Sequence, residues 1–244
     1  MANQVMRAKP IRQSGQKPAF NNQFDKLKKL FFSPKAFFEG VAGEKEYFPP
    51  LIYFVIILVI AQFTSVLLSI PSALQQPTGG LAVVFSFFGI AVAAGIGFAI
   101  PFISSGINHL GVLIFGGRKG YYNTFKPTTY AMVIGVVYGF FINIANFILS
   151  IVQPLELPAT PPASFSGMIS LIPVSYLAVN AVLYLASMVH TLYTQVIGIS
   201  RYQGISKLRA FLAIMLMMLI MALIIGVVML LFFKLITTIG AAAP

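Results

Sequence analysis

Few side chains in this sequence could carry out chemistry, and their positions argue against an enzyme. The 244 residues include 2 His, no Cys and 5 acidic residues. The acidic residues all lie outside the long apolar stretches, at Asp25, Glu39, Glu44, Glu46 and Glu156. A chain without cysteine has no thiolate or disulfide chemistry, and two histidines are a poor basis for a metal site. Phosphate-loop, zinc-protease and nucleophile-elbow motifs are also missing, so we expect neither catalysis nor a cofactor.

A second group of candidates consists of polar residues within the apolar stretches. Between residues 180 and 194 they recur at intervals of four and three, which places them on one face of a helix. Such side chains either join helices through hydrogen bonds worth about 0.6 kcal/mol each or line a polar cavity. A pairing of the two histidines is geometrically feasible. The candidates are Ser104, Asn108, His109, Asn143, Asn146, Asn180, Tyr184, Ser187, His190, Thr191 and Gln195.

The composition indicates which elements must position these residues. Hydrophobic residues make up 58% of the chain, charged residues 9%, and mean hydropathy is +0.90. Soluble domains carry about 25% charged residues, so a soluble globular protein is excluded. Five apolar stretches reach the roughly 20 residues that a membrane span needs, which predicts an all-α bundle of five transmembrane helices. The predicted spans are about 50–70, 81–115, 128–152, 170–199 and 210–236, with Pro101 as a kink in the long second span.

The basic residues indicate how this bundle is oriented. Sixteen Lys and Arg against five acidic residues give a net charge of +11. Nine basic residues precede the first span, and the following loops and tail carry 0, 3, 0, 3 and 0, with Lys234 left near the end of the last span. The positive-inside rule therefore predicts a cytoplasmic N-terminus and an outer C-terminus. The charge excess is explained by orientation, so we expect no nucleic-acid partner.

The segments outside the spans suggest a surface for partners. We predict a disordered basic tail over 1–22, amphipathic juxtamembrane helices over 23–49, a membrane domain over 50–238 and a short outer tail over 239–244. Basic residues beside apolar ones suit either simple juxtamembrane packing or contact with anionic headgroups or a protein partner. The candidate contacts are Lys26, Lys28, Lys29, Lys35, Arg118, Lys119, Arg201, Lys207 and Arg209.

Small residues spaced four apart predict close helix packing. Gly135 and Gly139 form a GxxxG pattern in the third span, and Gly89, Ala93 and Gly97 repeat in the second. Such residues let helix backbones approach closely in lipid. The contact is either within one chain or between copies in a homo-oligomer.

Four motifs, in order along residues 30–235, resemble the Yip family of five-span membrane proteins, in its prokaryotic-type branch. The run Leu30 to Phe38 resembles that family's F-x-P-x-x-F-F entry, and Gly106 to Gly117 resembles its helix ending in His-Leu and Gly-Gly. Tyr121 to Ala131 resembles its entry to the third span, and Ile197 to Ala210 its hinge before the last. The proline-rich outer loop, residues 153–173, departs from the pattern, since related chains are often short there.

The resemblance implies a non-catalytic membrane protein with a cytosolic N-terminus. Eukaryotic members of the family act in traffic between the endoplasmic reticulum and Golgi through Rab GTPases and partner membrane proteins. The resemblance implies a location in the plasma membrane for a prokaryotic chain and in the endoplasmic reticulum or Golgi for a eukaryotic one. The leading hypothesis is a membrane-organising or trafficking-type adaptor. The alternative is a small channel or transporter with a polar cavity between the second and fourth spans.

Overall fold

A computed structural model describes residues 22–74, 78–153 and 172–242, and these residues form seven helices and no strand. The helices are α1 (Gln23–Phe32), α2 (Pro34–Gly40), α3 (Phe48–Ala73), α4 (Gly79–Ile114), α5 (Tyr122–Val152), α6 (Val174–Gln203) and α7 (Lys207–Ala242). The predicted disordered tail, apart from Asn22, and most of the proline-rich loop lie outside the described residues. The last helix continues to Ala242, into the segment predicted as a short outer tail.

Five of the helices, α3 to α7, are long and apolar enough to cross a membrane, as the sequence predicted. The second of them runs through Pro101 without interruption. At 1.5 Å per residue its 36 residues reach about 54 Å, well beyond a hydrocarbon core of about 30 Å. The long helices therefore have ends that extend into the interfacial region.

The start of α5 differs from the prediction. We expected the third span to begin at about residue 128, after Lys126 and Pro127, but the helix begins at Tyr122. The amides of Thr124 and Phe125 both donate to the Tyr121 carbonyl at 2.9 Å, so the first turn is complete before the proline. Pro127 is the sixth residue of α5, beyond the first turn, and its missing N–H removes one intrahelical hydrogen bond, to the Asn123 carbonyl. Lys126 consequently belongs to a helix and not to a loop.

The chain divides into two units, which are described separately. The first contains α1 and α2, which pack against each other, and the second begins at Glu44 and contains α3 to α7. In the second unit α5 packs against α3, α4 and α6, while α7 packs against α4 and α6. The main partners of α6 are thus α5 and α7, and α4 is not among them.

Burial within the bundle is strongly uneven. Residues 124–131 of α5 are all buried, as are 197–199 of α6 and Ala210, Ala213 and Ile214 of α7. Residues 222–232 of α7 are exposed all round. The tightly packed end, which carries the Arg118–Lys119 loop and the loop after Gln203, is called the basic end below. The other end has a surface suited to lipid contact.

Candidate interaction surface and polar core

Helix α1 presents basic and aromatic side chains on one face. Phe24, Lys28 and Phe32 are spaced by four residues, and the two phenylalanines are 74% and 80% exposed. Lys28 is also exposed, whereas Lys29 is half-buried and lies 3.2 Å from the Asp25 carboxylate. Exposed aromatic rings beside a lysine are typical of a helix that lies at a membrane surface or docks on a partner.

The remaining predicted contacts in this unit vary in exposure. Lys35, on α2, is exposed, while Lys26 is half-buried. The start of α1 is capped, because the Asn22 side chain accepts a hydrogen bond from the Asp25 amide at 2.8 Å. Ser33 precedes α2, and its side chain makes no capping hydrogen bond.

The two loops of the basic end are joined by one buried side chain. Gln203 is 3% exposed, and its Oε1 accepts from the Lys119 amide at 3.0 Å. Its Nε2 donates to the Gly120 carbonyl and to the Thr124 hydroxyl, both at 2.9 Å. A single amide therefore connects the α4–α5 loop to the end of α6.

Glycine at two positions permits this close approach. Gly204 has φ +68°, a left-handed conformation that terminates α6, and a Cβ there would lie 2.8 Å from the Lys119 Nζ. A Cβ on Gly117 would lie 2.3 Å from Val112 Cγ1 and 3.2 Å from Gln203 Oε1. Gly117 therefore leaves room for the Gln203 side chain, whereas Gly204 is required by its left-handed φ, since the Lys119 Nζ is the end of a flexible side chain.

The result is a single basic surface with five exposed cations. Each of them is exposed, and the segments 115–125 and 200–210 contain no acidic residue. The sequence predicted these residues as two separate groups, and the hydrogen bonds of Gln203 bring the two loops together. The members of this surface are Arg118, Lys119, Arg201, Lys207 and Arg209.

Next to this surface lies a buried lysine that sequence analysis missed. Lys126 is 1% exposed, and its Nζ donates to the Glu44 carbonyl at 2.7 Å. The same Nζ lies 4.8 Å from the ring centroid of Tyr202 and 5.5 Å from that of Tyr122. Tyr130 donates to the Glu44 carboxylate at 2.7 Å. We counted Lys126 as a loop charge; the surrounding tyrosines were the signal of a cation held by aromatic rings.

The histidines do not pair with each other. His109 Nδ1 lies 2.9 Å from the Thr124 hydroxyl, and its ring meets Tyr121 edge-on at 5.6 Å. His190 Nδ1 lies 3.4 Å from the Tyr138 hydroxyl. Each histidine thus contacts α5 or the residues just before it.

Burial raises the pKa of Tyr121, with Tyr47 contributing, so this phenol stays protonated at neutral pH.

The polar residues on one face of α6 contact α5 at three heights along the helix, and this row is called the polar stripe of α6. Asn180 and Asn146 exchange amide hydrogen bonds of 2.8 and 3.3 Å, and Gln195 donates to Thr128 at 3.1 Å. The His190 contact lies between these levels. Hydrogen bonding between helices is therefore the role that these contacts support.

Other members of the predicted polar group behave differently. Tyr184 is 61% exposed and so does not share the buried face. Ser187 is half-buried, and the Thr191 hydroxyl is buried without a hydrogen-bond partner in the described part of the chain. On α4, Ser104 and Asn108 are half-buried. The last member, Asn143, lines a pocket that is described below.

Among the predicted packing residues, Gly97 lies close to a neighbouring helix. A Cβ on Gly97 would lie 2.7 Å from Leu58 Cδ2, so α3 and α4 approach closely there, with Ala93 half-buried one turn away. Gly89 and Gly139 have no atom within 4 Å of an added Cβ. At Gly135 the nearest such atom is at 4.0 Å, so the GxxxG pattern marks no tight contact with the residues that the structure describes.

The close approach of α4 to α7 involves a glycine that sequence analysis did not select. A Cβ on Gly111 would lie 2.5 Å from the Ala213 carbonyl oxygen and 2.8 Å from Met217 Cγ. This glycine therefore sets the distance between α4 and α7.

One known protein family matches this arrangement of five spans preceded by a short helical segment. The profile described as Yip1 domain matches residues 28–230, from α1 to α7. The chain belongs to the Yip1 domain family. No curated protein and no solved structure matches it. This Yip1-family protein is a multi-pass integral membrane protein, and the match includes both loops of the basic surface and the glycine contacts of α4.

Proposed function

We propose that this Yip1-family protein is a non-catalytic, membrane-organising adaptor whose basic end holds an acidic partner on the cytosolic side. The observation that carries the proposal is the joining of two loops by Gln203 into one exposed basic surface. A surface fixed by buried hydrogen bonds loses little entropy when a partner binds, which favours recognition.

The chemistry of that surface suits anionic groups. Arginine offers paired donors to carboxylates and phosphates, and lysine adds point charges. Clustered cations attract anionic headgroups at about 1 kcal/mol per residue near the surface. The exposed Phe24–Lys28–Phe32 face of α1 is a second contact of the same kind, with aromatic rings for the interfacial region. We propose that the partner is anionic lipid on an apposed membrane, or an acidic protein segment, and a homo-oligomer is compatible with either.

The alternative of a channel between the second and fourth spans has less support. The hydrogen-bonded polar side chains of α6 are directed to α5, and Tyr184 is exposed. The polar pocket described below lies between the first and third spans.

The test uses the full chain reconstituted in neutral phosphatidylcholine nanodiscs. We expect capture of phosphatidylglycerol vesicles, and loss of most capture in Arg118→Glu/Lys119→Glu. Lys234→Glu is the matched control, because it makes the same kind of charge change in the far half of α7 and should retain capture. Changing Lys26, Lys28 and Lys29 to Glu tests the α1 contact separately.

The salt dependence adds a second criterion. The Debye length falls from about 10 Å at 0.1 M salt to about 3 Å at 1 M, so electrostatic capture should disappear at high salt. Capture of neutral vesicles at the same level, or full capture by the double variant, would refute anionic lipid as the partner. An acidic peptide would then be the next ligand to titrate.

A further inference from the structure

A polar pocket lies between α3 and α5, near the end of the bundle opposite the basic end. This open pocket has a volume of about 210 Å³, several times the roughly 30 Å³ that one water molecule occupies in the liquid. Five of its lining residues are polar and none is ionisable. The lining comprises Ser65, Leu68, Ser69, Asn143, Asn146, Phe147 and Ser150.

The position of the pocket places it at membrane depth. Asn143 lies nine residues before the end of α5 at Val152, which corresponds to about 14 Å along the helix. Ser69 lies within the last turns of α3. The interfacial layer on each side of a bilayer is only about 5–7 Å thick, so the inner part of the pocket reaches the hydrocarbon region.

Some hydrogen-bonding groups in the pocket are already committed. The Ser69 hydroxyl donates to the Val66 carbonyl at 2.8 Å, and the Ser150 hydroxyl donates to the Phe147 carbonyl at 2.7 Å. These donors are used, and the Ser150 oxygen retains lone pairs. Asn146 is held in place by its exchange of hydrogen bonds with Asn180.

Other groups remain available. Within the described ranges, the side chains of Asn143 and Ser65 make no hydrogen bond, and both are half-buried. An amide without a partner in an apolar environment costs about 1–3 kcal/mol by protein measurements. An apolar residue at position 143 would avoid this cost. A ligand that forms hydrogen bonds with the Asn143 amide would offset it.

We propose that this pocket binds an uncharged, hydroxyl-bearing headgroup of a lipid from the leaflet at that end of the bundle. A hydroxyl both donates and accepts, and it matches the side chains of Asn143 and Ser65 together with the lone pairs of Ser150. An anionic headgroup would require a basic residue, and the lining has none. A lipid is the natural source because the pocket opens between two membrane-spanning helices.

The test measures the thermal midpoint of the full chain in a phosphocholine detergent, with three added probes. Monoacylglycerol carries two free hydroxyls and no charge, lysophosphatidylglycerol carries a phosphate, and free glycerol lacks the acyl chain. We expect monoacylglycerol alone to raise the midpoint, with half-saturation about tenfold weaker in Asn143→Leu, since one lost hydrogen-bonding group is worth about that factor.

The variants separate binding from folding. Asn143→Leu without added lipid should unfold at the wild-type midpoint or above it, because it removes an amide that lacks a partner. Ser65→Ala should weaken the response to monoacylglycerol, whereas Ser86→Ala, which changes a half-buried serine on α4, should not.

Three results would overturn the proposal. An equal response of wild type and Asn143→Leu would remove the pocket as the site. An equal response to lysophosphatidylglycerol would show that charge is not discriminated. An equal response to free glycerol at the same concentration would assign the pocket to soluble polyols and not to lipid.

Discussion

Replacing Gln203 with methionine tests whether one amide holds the basic surface together. The two side chains have similar length and volume, so the change removes polar atoms with little effect on packing. Gln203 makes three hydrogen bonds, to the Lys119 amide, the Gly120 carbonyl and the Thr124 hydroxyl. A typical hydrogen bond contributes about 1 kcal/mol net, so the expected loss in the free energy of unfolding is about 3 kcal/mol.

Gln195 provides a matched control on the same helix. It is also a buried glutamine, 8% exposed, and it donates one hydrogen bond, to Thr128 at 3.1 Å. Gln195→Met should therefore cost about 1 kcal/mol. Reversible denaturation in lipid bicelles measures both variants, and vesicle capture measures the surface.

The free energy of unfolding and vesicle capture are measured separately, so loss of the basic surface can be distinguished from loss of stability. Gln203→Met should lose vesicle capture under conditions where it remains folded, because the α4–α5 loop with Lys119 separates from the end of α6, which carries Arg201. Gln195→Met should retain capture. Equal destabilisation by the two variants, or full capture by folded Gln203→Met, would refute the conclusion that the amide builds the surface.

Three further predictions concern the bundle. Gly111→Ala should destabilise the protein by about 1–3 kcal/mol, because the new Cβ lies 2.5 Å from a carbonyl oxygen of α7. The control, Gly106→Ala, meets no atom within 4 Å and should be neutral or stabilising. Equal unfolding midpoints of the two variants would contradict the α4–α7 contact. Lys126→Met should cost about 2 kcal/mol or more in chemical denaturation, since a charge-assisted hydrogen bond and two ring contacts are lost; an unchanged free energy of unfolding would be the opposing result. A double-mutant cycle of Asn146→Ala and Asn180→Ala should show coupling of about 0.6 kcal/mol or more, and strictly additive losses would exclude the pair.

The number of spans could be predicted because it depends on the length and hydropathy of the apolar segments, which local sequence contains. Apolar length determines which segments enter the membrane, and the predicted and observed helices agree in number and order. The positions of the helix ends are harder to predict than the number of helices, as α5 shows. Pro127 suggests a boundary by its chemistry, yet the Tyr121 carbonyl had already closed the first turn.

The partners of individual side chains could not be predicted in the same way. The stripe on α6 was visible as a periodicity, but its direction depends on which helix packs beside it. Lys126 was counted as a loop charge because hydropathy alone does not reveal the aromatic rings around it. Gln203 and Gly111 act through contacts distant in sequence, so no local pattern distinguished them from other glutamines and glycines.

The exchange of amide hydrogen bonds between Asn146 and Asn180 has a consequence for the environment on that side of the membrane. These groups carry no charge at any physiological pH, and their attraction is not screened by ions. The bond between α5 and α6 at that end should hold equally well in an acidified compartment, in a neutral one, and in dilute or concentrated salt. The five exposed cations of the basic surface lie at the opposite end of the bundle, and contacts made there should respond to the ionic surroundings.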